Sequence, residues 1–216
     1  MRRVFLYTAG VAIMAVATIA LLATSASAGS TRQTADLIEN QSGGGEISAD
    51  DAQLSRSPNG LSIKVTMETP APGSYNYPDT VPVNRQVGPE VFTGWAFVFA
   101  EPGECKNADN SGPGPCDGDD FGDPDVGAGV YNFSGHAQDG GGSLVMSGHI
   151  RVGQTQLLRA PGGVAYPLSN PEGAEVHVAI APHGQLDPST LPDDLVSPVG
   201  SPTCDCWWVA AFYPLA

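Results

Sequence analysis

The chain predicts an all-β fold: an antiparallel β-sandwich or open barrel with long Gly/Pro-rich loops, preceded by a signal peptide. Three observations carry this. Leu61, Ile63, Val65 and Met67 alternate with Ser62, Lys64, Thr66 and Glu68, the period of two that marks a half-buried strand. Further apolar segments of strand length follow, and none sustains the 3.6-residue period of a helix. The 27 glycines and 19 prolines ask for many turns and little helix.

Met1 to Ala28 opens with Arg2 and Arg3, continues as an apolar run and ends in Ala26-Ser27-Ala28. This is the pattern of a secretory signal peptide cut before Gly29. Val4 to Leu22 is nineteen uncharged residues, just enough to span a bilayer, so an uncleaved anchor competes. The small residues at the cleavage site favour removal. Arg2-Arg3-Val4-Phe5-Leu6 resembles the twin-arginine export pattern, although two arginines also suffice as the positive start of an ordinary signal. The expected product is secreted or extracytoplasmic and makes no membrane contact after cleavage.

The net charge is −14, from nine bases and 23 acids. Loss of Arg2 and Arg3 leaves seven bases and a net charge of −16. Such a surface repels nucleic acid and anionic lipid and attracts cations. The expected partner is an extracellular ligand or protein.

Residues 29–57 read as a flexible polar leader with Ser42-Gly43-Gly44-Gly45 at its middle and a short helical turn near Thr34 to Asn40. Residues 58–216 read as the β-sandwich domain, long enough for one real core. Its first strand is the alternating one. A proline-rich loop follows, with Tyr75 and Tyr77 packed over a sheet edge. Val91 to Ala100 is almost continuously apolar, as a central strand would be. Gly129 to Ala137 and Ser143 to Val152 form an expected hairpin around Asp139-Gly140-Gly141-Gly142. Its apolar face is Tyr131 and Phe133 with Leu144, Met146 and Ile150. A short strand is expected near Gln156 to Arg159, another at Ala174 to Ala181, a helical turn from Pro188 to Leu195, and a buried last strand from Cys204 to Tyr213.

Between two of these strands lies Glu101 to Val126. It holds eight of the 23 acids, two of the four cysteines and one base, Lys106. Four cysteines in an exported chain imply two disulfides with three possible pairings. Cys204 and Cys206 are too close in sequence to pair without strain. The expectation is therefore that Cys105 and Cys116 each bond to the last strand; the alternative is a local Cys105–Cys116 bond. A four-thiolate zinc site lacks the usual C-x-x-C spacing.

Asp117, Asp119, Asp120, Asp123 and Asp125 fall within nine residues, with Gly118 and Gly122 to allow tight turns. Several carboxylates at close range suit calcium, the one cofactor considered, although Phe121 breaks the EF-hand pattern and a solvated acidic loop explains the same residues. Four histidines raise a zinc or copper alternative. His136 and His149 share a hairpin face. His177 and His183 share a strand face about 20 Å apart unless Pro182 turns the chain. Glu175 beside His177, with His183, offers an acid–base set. No G-x-S-x-G, H-E-x-x-H or P-loop motif occurs. Of Trp207 and Trp208, which face opposite ways, at least one belongs to the core.

The strand order and the phrase AEVHVAIAPHG at 174–184 resemble exported β-sandwiches of the superoxide-dismutase and chordin-repeat kind. The H-x-H copper ligands of the former are missing, so no functional residue is carried over. The expectation is a secreted acidic binding or structural module, calcium-stabilised at the Asp loop, with no catalytic motif visible. The alternative is an exported Zn/Cu enzyme using His136, His149, His177 and His183.

Overall fold

The computed structural model describes residues 30–40, 47–69, 88–106, 115–139, 141–155, 165–189, 191–196 and 207–214. The expected signal peptide, Tyr75, Tyr77, the segment 156–159, Cys204 and Cys206 lie outside them. Among the described residues eight strands form one sheet: β1 (Thr31–Asn40), β2 (Ile47–Ser57), β3 (Gly60–Thr69), β4 (Glu90–Phe99), β5 (Ala128–Gln138), β6 (Gly142–Arg151), β7 (Glu175–Gln185) and β8 (Trp207–Phe212). Every pairing is antiparallel, in the order β5-β4-β7-β8-β1-β2-β3-β6. No α-helix occurs among the described residues. None there is long and apolar enough to cross a membrane.

The sheet curls until its two outermost strands approach, nearly closing a barrel. Two glycines make room for the bulky residue at that seam. A Cβ on Gly148 of β6 would lie 1.9 Å from the Phe133 carbonyl oxygen of β5, and one on Gly94 of β4 would lie 2.6 Å from the Phe133 ring. A side chain at position 148 would push against the β5 backbone across the seam, and one at 94 would displace the Phe133 ring. Phe133 is also the extra residue where the β4–β5 register shifts between Gly94 and Trp95, a bulge that bends the strand.

The expected hairpin is corrected here. β5 pairs with β4, and β6 with β3. Tyr131, Phe133, Leu144, Met146 and Ile150 do share one core, but they meet across the barrel interior and not along a ladder. Period-two alternation says which side of a strand is buried and leaves its neighbour open.

The flexible leader is corrected too. Residues 31–40 and 47–57 are β1 and β2, in the middle of the sheet between β8 and β3, and Thr34 to Asn40 is strand, not a helical turn. Leu37, Ala52 and Leu54 point into the core and are fully buried. The next inward position on β2 is Arg56, and a charge there hides the alternation from a hydropathy reading.

Arg56 closes one end of the barrel. Its Nε donates to Gln33 Oε1 at 2.6 Å, Nη1 to the carbonyls of Pro171 and Ala174 at 2.9 and 2.7 Å, and Nη2 to those of Phe212 and Tyr213 at 3.4 Å each. Burial lowers its pKa from 12.5 to about 10, so it stays charged at neutral pH. Its fork of five donors matches oxygens from three directions, which an ammonium could not do. β1, β2, β8 and the turn before β7 are thereby tied to one side chain.

The remaining elements follow expectation more closely. β4 is central and buried between β5 and β7. Asp187 Oδ1 accepts from the Ser189 backbone N–H at 2.9 Å, and the helical turn comes later, as a single 3-10 turn at Asp193–Leu195. Trp208 is core, 6.3 Å from the Phe92 ring.

Candidate functional site

The acidic excursion after β4 folds back onto the outer face of the barrel. Beyond the bulge, Trp95, Phe97 and Phe99 point outward from β4, and Phe121 covers two of them, its ring 5.9 Å from Phe97 and 5.3 Å from Phe99. Val126, Cys116 and Ala128 complete this second layer. The neck is closed by the Glu101 N–H donating to the Val126 carbonyl at 3.0 Å.

Within the excursion Cys105 and Cys116 are bonded to each other, with Cα atoms 5.0 Å apart. The expectation of bonds to the last strand is overturned for both residues. The closed neck and the Phe121 anchor bring the two limbs of the loop together, and each cysteine meets the other first.

The five aspartates do not converge on a common point. Asp117 and Asp120 are buried and form a reciprocal cap around the 3-10 turn Gly118–Asp120. Asp117 Oδ1 accepts from the Asp119 N–H at 2.9 Å, and Asp120 Oδ2 from the Asp117 N–H at 3.0 Å. Asp120 Oδ1 takes the Lys106 N–H at 3.0 Å. Asp123 Oδ1 takes the Asp125 N–H at 3.0 Å, and its other oxygen is paired with the Lys106 ammonium. That pairing raises the Lys106 pKa and lowers that of Asp123. Asp119 and Asp125 are exposed. Among the described residues one trio of metal-capable side chains comes together, Cys105, Cys116 and Asp120, and its two sulfurs are spent on their own bond.

Against the loop lies a carboxylate–imidazole pair, buried at Glu175 and partly exposed at His177. Glu175 is fully buried, and its Oε1 meets His177 Nε2 at 2.6 Å and the Cys116 N–H at 3.4 Å. Oε2 has no hydrogen-bond partner among the described residues. The His177 ring packs 5.2 Å from Phe99. Burial, helped by the Glu175 charge, raises the pKa of Tyr213. The pair therefore fastens the loop to β7, with the carboxylate fully covered and the imidazole partly exposed.

The four histidines are spread over the barrel. His136 is exposed on β5, opposite Phe92 of β4. His149 is on β6, its Nδ1 2.9 Å from Ser62 Oγ of β3. β7 runs on through Pro182 to Gln185, so residues 177 and 183 remain about 20 Å apart along extended chain.

A site not anticipated lies on the opposite outer face. The registers place Arg32, Ser55, Ser62 and His149 in one row across β1, β2, β3 and β6. Gln53, Lys64 and Ser147 form the next. These seven residues line an open groove of about 610 Å³, within the size range of small-molecule sites. Arg32 Nη2 donates to Gln53 Oε1 at 2.5 Å. Lys64 and Ser62 were visible on the polar side of a strand; Arg32, Gln53 and Ser55 were hidden in the segment read as a leader.

Compared with protein-family models, curated protein sequences and solved structures, the chain matches none.

Proposed function

We propose that this is an exported, non-catalytic binding module, and that its binding surface is the groove across β1, β2, β3 and β6. One observation carries the proposal. Seven polar or charged side chains from four strands face one open volume, held by ladder hydrogen bonds on a closed core. Rigid strands position such groups more firmly than loops do. Export rests on the signal pattern at residues 1–28 and agrees with the Cys105–Cys116 bond, since disulfides persist in oxidising compartments.

The acidic excursion takes a structural part in this proposal. Its buried acids accept hydrogen bonds from the loop's own backbone, and Lys106 supplies a cation to Asp123. Calcium in this loop would have to compete with those contacts. We therefore assign the loop to covering the aromatic face of β4 and keeping the surface acidic.

The test is backbone amide mapping by NMR with a fragment set of carboxylates, neutral sugars and phosphates. Hits gathered on Gln53, Ser62, Lys64 and Ser147 are expected. Hits that gather elsewhere, or no hits, would overturn the assignment of the groove. N-terminal sequencing of the exported protein should begin at Gly29; an intact leader would overturn cleavage.

A further inference from the structure

We infer that the groove takes a short acidic saccharide, a uronic-acid sugar whose carboxylate is flanked by hydroxyls; this rests on the groove being the binding surface. The first support is where the positive charge lies. Five cations fall among the described residues: Arg32, Arg56, Lys64, Lys106 and Arg151. Arg56 is buried at the barrel end and Lys106 is paired with Asp123. The other three are exposed on β1, β3 and β6, and Arg32 and Lys64 line the groove. Among the described residues of a chain of net charge −14, the cations that are neither buried nor ion-paired thus gather on β1, β3 and β6, which focuses an anion there.

The second support is geometry. Gln53 holds one end of the Arg32 guanidinium at 2.5 Å. Orienting the fork in advance lowers the ordering cost of a bidentate carboxylate contact. Ser55, Ser62 and Ser147 each supply a hydroxyl that both donates and accepts, the combination that sugar hydroxyls require. No Phe, Tyr or Trp among the described residues lines the groove, so a neutral sugar would find no large stacking platform, and the charged contact has to supply affinity.

The third support sets the ligand's length. Asp36, Asp51 and Glu68 stand on β1, β2 and β3 beyond the groove, towards the other end of the same strands. Long polyanions laid along the strands would meet these carboxylates, and a ligand of one or two sugar rings would not.

Isothermal titration calorimetry and amide mapping at low salt, with digalacturonic acid, maltose and inorganic sulfate, test this on the full exported chain. Digalacturonic acid is expected to shift the groove amides and to bind at least about tenfold more weakly to an Arg32→Ala/Lys64→Ala variant, two charge-assisted bonds being lost. Both sites are exposed, so the variant should keep its melting temperature. Maltose binding the groove as well as the uronate would overturn the acidic assignment and leave the groove standing. Sulfate matching the uronate would overturn the saccharide assignment. If none of the three shifts the groove amides, the acidic-saccharide assignment falls; if the fragment set also misses the groove, the binding surface falls with it.

Discussion

Glu175 Oε1 lies 2.6 Å from His177 Nε2, and the same oxygen receives the backbone N–H of Cys116. One buried carboxylate thus joins β7 to the disulfide-closed loop. Glu175→Ala would leave both donors without their acceptor in a buried place, at an expected cost of about 2–4 kcal/mol. Glu175→Gln keeps an oxygen in position and should cost less. Urea unfolding of the two variants checks the order; equal stability of the alanine variant and the parent would show that the pair does not fasten the loop.

Arg56 offers a sharper comparison. Arg56→Lys retains the charge but loses the planar fork that reaches Gln33 and four carbonyls. A loss of about 3 kcal/mol or more is expected by thermal or urea unfolding. Arg56→Met should fall in the same range, because the buried carbonyls lose their donors in either case. A lysine variant as stable as the parent would show that charge alone suffices at the barrel end.

The buried Tyr131 hydroxyl makes an alkaline limit. It donates to the Tyr166 carbonyl at 2.9 Å, and burial raises its pKa from 10.0 to about 12. The folded state therefore favours the neutral phenol. That contribution is whole below pH 10, where the unfolded tyrosine is also protonated, and is lost as pH climbs from 10 to 12. Tyr131→Phe should cost about 1 kcal/mol at pH 7 and flatten the alkaline decline. A decline of undiminished steepness would place its origin elsewhere.

The disulfide spans eleven residues. Restricting so short a segment of the unfolded chain stabilises by about 2–3 kcal/mol. Paired Cys105→Ser and Cys116→Ser substitutions should lose that much in unfolding experiments. The barrel's circular dichroism should persist, because the bond braces the cover and not the sheet.

Calcium at millimolar concentration should raise the melting temperature no more than magnesium does. Asp117, Asp120 and Asp123 already accept from backbone N–H groups, and Asp123 is paired with Lys106. A calcium-specific rise of several degrees, lost in Asp123→Asn, would put a cation in the loop.

The histidines illustrate how far a linear reading reaches. His136 and His149 carry the right parity for a shared face, yet β5 and β6 take different partners at opposite ends of the hydrogen-bonded order. His177 beside Glu175 was legible as a pair two residues apart. The covering of Glu175 by the loop was not, because the cover comes from residues more than fifty positions earlier. The groove was half legible, through Ser62 and Lys64, and its other half stood in a segment where the buried charge of Arg56 broke the apolar alternation of β2.

The sequence by itself determined the all-β class, the strand character of β3, β4 and β7, the apolar face of Tyr131, Phe133, Leu144, Met146 and Ile150, and the place of the acidic excursion. These are local properties: residue alternation, apolar run length and turn composition act over a few positions. Only the tertiary structure decided which strands are neighbours, that β1 and β2 belong to the barrel, which cysteine Cys105 meets, and that Arg32 stands in a row with Ser62 and His149. Those depend on contacts between residues far apart in the chain, set by curling the sheet until β5 meets β6. The physical reason is that alternation chooses a face, and barrel closure chooses a partner.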